Sequence, residues 1–222
     1  MKTIIVSVFA LSVSLQVPAQ SDWESPAMRQ TQTQEKVCKN ADDQDRVDAD
    51  QKHYSREGAV PEEDGKVVFH EVLRFQTVPA TEIYDATYPT YRRLEELAQG
   101  SNQIQSRIVL TNRKEHIIVA KFSEWMEFSR SLFSLDRTKF NYTVIATCSD
   151  GSLDLRIERI SYNYEEGRAS GFKATAEELI TDRKALNKKR TALKKGTAKF
   201  RRKTIDRIER LFEEINSMPI KK

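Results

Sequence analysis

Residues 183 to 203 read RKALNKKRTALKKGTAKFRRK, eleven Lys and Arg in twenty-one positions with no Asp or Glu among them. A run of this kind does one sort of chemistry, the electrostatic capture of anions, to which each Lys or Arg near an anionic surface contributes on the order of 1 kcal/mol. Lys188, Lys189, Arg190, Lys194, Lys195, Lys199, Arg201, Arg202 and Lys203 are the candidate contacts. Elsewhere the chain holds few reactive groups. No HExxH, CxxC, GxSxG or phosphate-cradling Gly-rich loop is present, and seven glycines leave few places to build one. His53 sits in a polar stretch, while His70 and His116 lie on or beside strand-like segments, where a solvated or hydrogen-bonded imidazole is the ordinary outcome. The expectation is a protein that is not an enzyme and holds neither metal nor cofactor.

Which anions the basic run can meet depends on where the chain goes. It opens MKTIIVSVFALSVSLQVPAQ, with Lys2, an apolar run from Ile4 to Leu15 broken only by Ser, and small residues at Val17 and Ala19. That is the layout of a secretory signal over residues 1–19 with a cut after Ala19. The run is too short to span a bilayer, which takes roughly 20 apolar residues, so the mature chain is read as having no transmembrane segment. A periplasmic or secreted protein is expected. In that oxidising compartment Cys38 and Cys148 are a candidate disulfide, although Cys148 falls on an apolar strand face, where a buried inert thiol is the commoner fate.

Net charge is +4 over 222 residues, but it is divided unevenly. Residues 21–65 carry twelve acids against six bases, and residues 182–222 carry fifteen bases against five acids. The head, residues 20–64, is polar, without helical or alternating period, and cannot bury enough apolar surface to offset the entropy of ordering it. It reads as an acidic disordered linker. The nearly neutral middle, residues 65–165, is long enough for one core.

That middle must position whatever the basic end presents. GKVVFHEVLRF (65–75) has strand character, and Ile83, Thr87, Tyr91, Leu94 and Ala98 then recur at helical spacing between Pro79 and Gly100. Pro89 inside that pattern predicts a kink or two shorter helices. After Gly100 the period becomes two: strands are predicted over 104–112 and 116–129, the second running on through SLFSL. In FNYTVIATCSDG, Phe140, Tyr142, Val144, Ala146 and Cys148 share one face, and Asp150-Gly151 supplies a tight turn. In the following strand Leu153, Leu155 and Ile157 are out of phase with Ile160, Tyr162 and Tyr164, which predicts a β-bulge near Glu158 or Arg159. The fold class is therefore α+β, a curved antiparallel sheet of about five strands in β-α-β-β-β-β-α order.

The segments GKVVFHEVLRF, EIYDATY and YTVIATCSDGSLDLRIERISYNY, behind an exported polar head, resemble an uncharacterised domain family with a TATA-binding-protein-like (TBP-like) fold found in secreted proteins of Gram-negative gut bacteria. The resemblance covers roughly residues 65–165 and implies a fold. It implies no activity, since the family has none assigned and a fold does not transmit function.

The basic end, residues 172–218, reads as amphipathic helices: Leu186, Leu193 and Phe200 are seven apart, and Ile205, Ile208, Phe212 and Ile215 continue the seam, with Gly196 dividing it. The seam must be buried on the sheet, on a neighbouring helix or on a second copy of the chain. For the positive face, three partners compete: an anionic envelope surface, the chain's own acidic linker, and nucleic acid, which export and the lack of interleaved aromatics disfavour. The leading reading is an exported interaction module without catalysis. The alternative is a carrier of a small hydrophobic ligand between sheet and helix, lined by Phe140, Tyr142, Val144, Leu155 and Ile157.

Overall fold

The computed structural model describes residues 51–99, 106–131, 134–217 and 220. Helix α1, whose described residues are 51–55, leads to a two-stranded ribbon of β1 (Glu62–Glu63) and β2 (Lys66–Val67). Then follow β3 (Phe69–Arg74), α2 (Ala80–Gln99), β4 (Arg107–Asn112), β5 (Ile117–Arg130), β6 (Leu135–Ser149), β7 (Ser152–Tyr164) and β8 (Phe172–Thr175). Two single turns, α3 (Ala176–Leu179) and α4 (Asp182–Ala185), precede the long α5 (Lys195–Asn216). The antiparallel sheet runs β3-β7-β6-β5-β4, and β8 joins β7 beyond the end of β3.

The expected hairpin forms at Asp150-Gly151, and its turn does a second job. Gly151 has φ +72°, a conformation that L side chains adopt reluctantly, and a Cβ there would meet the Phe75 carbonyl at 3.1 Å. The Gly151 N–H donates to the Val78 carbonyl, and the Asp150 carboxylate accepts the Ala80 N–H at 2.9 Å, satisfying an orphan donor where α2 begins. The hairpin thus sets where the first long helix starts.

The bulge is also present. Asn141 pairs with Ser161 but Thr143 pairs with Glu158, so β7 carries an extra residue opposite Tyr142. Arg159 takes it up at φ +55°, and Ile157 and Ile160 are consequently both buried despite their odd spacing. β3 pairs with β7 before the bulge, and β8 pairs with it after the bulge.

Both long helices pack on one face of this sheet. Ile83, Thr87, Tyr91 and Leu94 of α2 are buried, and Tyr91 meets Phe122 edge to face. From α5, Phe200, Thr204, Ile205, Ile208, Leu211 and Ile215 are buried; Phe200 packs on Tyr162, whose hydroxyl pairs with Thr204 Oγ1 at 2.7 Å. Burying each such apolar side chain contributes roughly 1.5–3 kcal/mol. Phe200, Ile205, Ile208 and Ile215 of the helical seam are thus buried in the chain's own core, while Leu193 and Phe212 stay half-buried.

Several expectations are corrected. To the five strands read from the sequence the sheet adds a sixth: β8 falls at the start of the stretch assigned to basic helices, and four residues, FKAT, are too few to show a period. α2 continues through Pro89 rather than splitting; Pro89 and Asp85, whose carbonyl loses its donor, are both exposed, so the lost bond lies on the solvent side of the helix. β5 stops at Arg130, where Ser131 and Ser134 close a turn, instead of running on through SLFSL.

The basic stretch is not a pair of helices divided at Gly196 either. Leu186 and Leu193 face each other across an isolated β-bridge, because Asn187 accepts the Thr191 N–H and offers the backbone a turn in place of a helix. Seven-residue spacing fits that hairpin as well as it fits a helical seam. Gly196 lies in the first turn of α5 and divides nothing.

The linker's end is ordered too. Residues 51–64 include α1 and β1, with Ser55 and Val60 buried. Residues 1–50 of the expected leader and linker, with Cys38, lie outside the described residues.

Candidate functional site

The nine basic residues singled out in sequence have three different fates. Arg201 is fully buried and structural: its guanidinium donates to the carbonyls of Tyr54 (2.7 Å), Ile180 (2.7 Å) and Arg56 (3.1 Å) and lies 2.7 Å from the Asp182 carboxylate. Lys199 is half-buried, donates to Asp136 at 2.8 Å and to the Tyr164 hydroxyl at 2.9 Å, and sits over the Tyr164 ring. Burial alone would depress its pKa, but Asp136 and Tyr164 outweigh it and the ammonium is held above its usual range.

A second group is tied down at the surface. Arg190 pairs with Glu57, and Lys194 Nζ donates to the Lys184 carbonyl at 2.9 Å, closing the hairpin it belongs to. Arg202 is exposed and lies over the Tyr54 ring at 5.8 Å.

The third group is displayed. Lys188, Lys189 and Lys195 are exposed and make no ion pair among the described residues, and Lys203 is half-buried, likewise without one. The hairpin adds two cations that the sequence reading passed over: Arg183 and Lys184 are also exposed, and the Lys194 N–H bonded to the Ala185 carbonyl at 2.7 Å sets α4 beside the start of α5. Lys184 and Arg183 stand eleven and twelve positions from Lys195 in sequence, and only the hairpin makes them neighbours. Arg183, Lys184, Lys188, Lys189 and Lys195 thus form a cationic patch. Helix α5 has no acid in its first turn, so the positive end of its dipole adds to that field instead of being offset.

The other face of the sheet carries a groove that the sequence reading missed. Its volume is about 570 Å3, and Lys121, Ser123, Lys139, Asn141, Thr143, Arg159 and Asn163 line it together with Phe122 and Tyr142. The polar residues among these occupy the strand positions out of phase with the buried ones, away from α2 and α5. The signal was available as the polar alternates of β5 to β7, but strand polarity alone does not separate a site from an ordinary wet face.

The remaining candidates resolve individually. His70 pairs with Asp154 at 3.0 Å, His53 with Glu209 at 3.1 Å, and His116 packs against Tyr84. Cys148 is a free buried thiol whose pKa burial pushes up to about 11, the neighbouring Thr87 hydroxyl opposing. Phe140, Tyr142, Val144, Leu155 and Ile157, expected to line an apolar cavity, instead fill the core at 0–2% exposure. Among the described residues no helix is long and apolar enough to cross a membrane.

Against known proteins, the family model for a domain of unknown function (DUF4468) with TBP-like fold matches residues 69–163. The structure is similar to that of a DUF4468 family protein from Bacteroides ovatus, at 38% identity and a TM-score of 0.67, covering 74% of this chain and 92% of that one. It shares its fold with a TBP-like protein from Parabacteroides distasonis, at 19% identity and a TM-score of 0.56, over 72% of this chain and 99% of the other. No curated protein matches.

Proposed function

The chain belongs to the DUF4468 family of domains with a TBP-like fold, and from that premise, which supplies an architecture and no activity, we propose that it is an exported, non-catalytic binding module that docks on anionic lipid headgroups through its basic hairpin. The observation that carries this reading is the patch of Arg183, Lys184, Lys188, Lys189 and Lys195, five exposed cations unpaired among the described residues. Five such charges supply on the order of 5 kcal/mol against a phosphate-rich surface. Export is supported by the apolar run from Ile4 to Leu15 with Val17 and Ala19 after it, and it directs the patch toward a periplasmic or extracellular lipid surface.

Flotation of the purified chain with vesicles tests this. Vesicles rich in phosphatidylglycerol are expected to carry the protein at low salt and release it as salt shortens the Debye length below about 10 Å. Equal recovery on phosphatidylcholine, or recovery indifferent to salt, would contradict the reading.

A further inference from the structure

We propose that the groove on the helix-free face of the sheet is a second, separate binding site, and that its ligand is an acidic sugar, a polyhydroxylated ring bearing a carboxylate. Ser123 and Asn141, which line the groove, belong to a hydrogen-bonded ladder that reaches Ser161 on the third strand. Ser123 Oγ donates to Asn141 Oδ1 at 2.7 Å, and Asn141 Nδ2 donates to Ser161 Oγ at 3.5 Å. That arrangement occupies one amide oxygen and one hydroxyl oxygen while leaving the second Nδ2 hydrogen of Asn141 and the hydroxyl hydrogen of Ser161 to give. A donor-rich ladder suits the oxygens of a sugar.

The rim is cationic. Lys139 has Glu166 at 3.4 Å and Arg159 has Glu158 at 3.3 Å, but Lys121 and its cross-strand neighbour Arg107 have no carboxylate partner among the described residues. The surplus is positive, so the complement is an anion, and neutral donors beside it select one that also carries hydroxyls. A nucleobase is a poor fit: Trp125, which shares this face beside Lys139, has its ring covered by Arg137 at 3.8 Å and offers no stacking platform.

Arg159 gives the second, independent observation. It is held at φ +55° by the bulge, where a glycine would cost less, and its side chain lines the groove. The bulge is what brings a guanidinium to the groove at a strand position that regular pairing would not provide.

The test is amide NMR of the full chain titrated with glucuronate, glucose and inorganic phosphate. Glucuronate is expected to shift Ser123, Asn141, Thr143 and Asn163, with glucose and phosphate each at least about tenfold weaker. Arg159→Gly, which relaxes the backbone, and Lys121→Ala are each expected to weaken glucuronate about tenfold while the spectrum stays dispersed. Charge reversal at Lys188 and Lys189 should leave this titration unchanged. No shifts with glucuronate, an equal response to phosphate, or indifference to Arg159→Gly would overturn the proposal.

Discussion

Arg201 and Asp182 are 2.7 Å apart, the guanidinium fully buried and the carboxylate also accepting the Gly58 N–H at 2.7 Å. With the carbonyls of Tyr54 and Arg56 on the same guanidinium, this pair fastens residues 54–58 to α4 and α5. A residue picked out in sequence as a surface cation therefore serves as an internal clamp. Removing one partner of such a pair strands a buried charge, so Asp182→Ala is expected to cost about 3–5 kcal/mol in urea unfolding. Arg201→Lys should lose a comparable amount, since an ammonium cannot reproduce the planar fork. Limited trypsin digestion at Arg56 should quicken in both variants.

Arg159 makes a contrasting prediction. Arg159→Gly is expected to leave unfolding free energy within about 1 kcal/mol of wild type, because relief of the left-handed strain offsets the added freedom of the unfolded chain. Arg159→Val, β-branched at positive φ, should lose about 1–3 kcal/mol. Equal losses in both would show that the bulge is not strained at this residue.

The Cys148 thiol, pushed up to about 11 by burial, is expected to resist alkylation at pH 8 in the native protein and to react at once in denaturant. Rapid native labelling would contradict the packing of β6 beneath α2.

Glu177 accepts the Val67 N–H at 2.9 Å. Burial works against its charge, but that bond, others nearby and Lys66 outweigh it and hold the carboxyl below the ordinary glutamate range. Its contribution is thus fully present above the ordinary glutamate pKa and is lost as pH falls through the lower folded value. Glu177→Gln should lower Tm at neutral pH, and the gap from wild type should close on acidification below about pH 4. A gap that persists unchanged in acid would rule this out.

The strand and helix pattern was legible because local rules agreed with the tertiary structure: Asp150-Gly151 demanded a turn, and the phase break between Ile157 and Ile160 demanded a bulge. Pro89 misled because its cost depends on which side of α2 faces water, which no local pattern records. The hairpin at Leu186 and Leu193 was hidden because a seven-residue spacing is shared by a helix seam and a short loop. Arg201 was misassigned for a related reason: nothing in RRK distinguishes the Arg that turns inward, toward carbonyls more than a hundred positions away. The groove showed only as polar alternates on three strands, a pattern any wet sheet face shares, and the place of its Arg depends on the bulge geometry.

The reading of the chain as a module that docks by its basic hairpin is tested most directly by flotation on phosphatidylglycerol vesicles of wild type beside Lys188→Ala/Lys189→Ala/Lys195→Ala. Three cations at roughly 1 kcal/mol each should weaken binding about a hundredfold with stability unchanged. Undiminished binding by the triple variant would contradict the account.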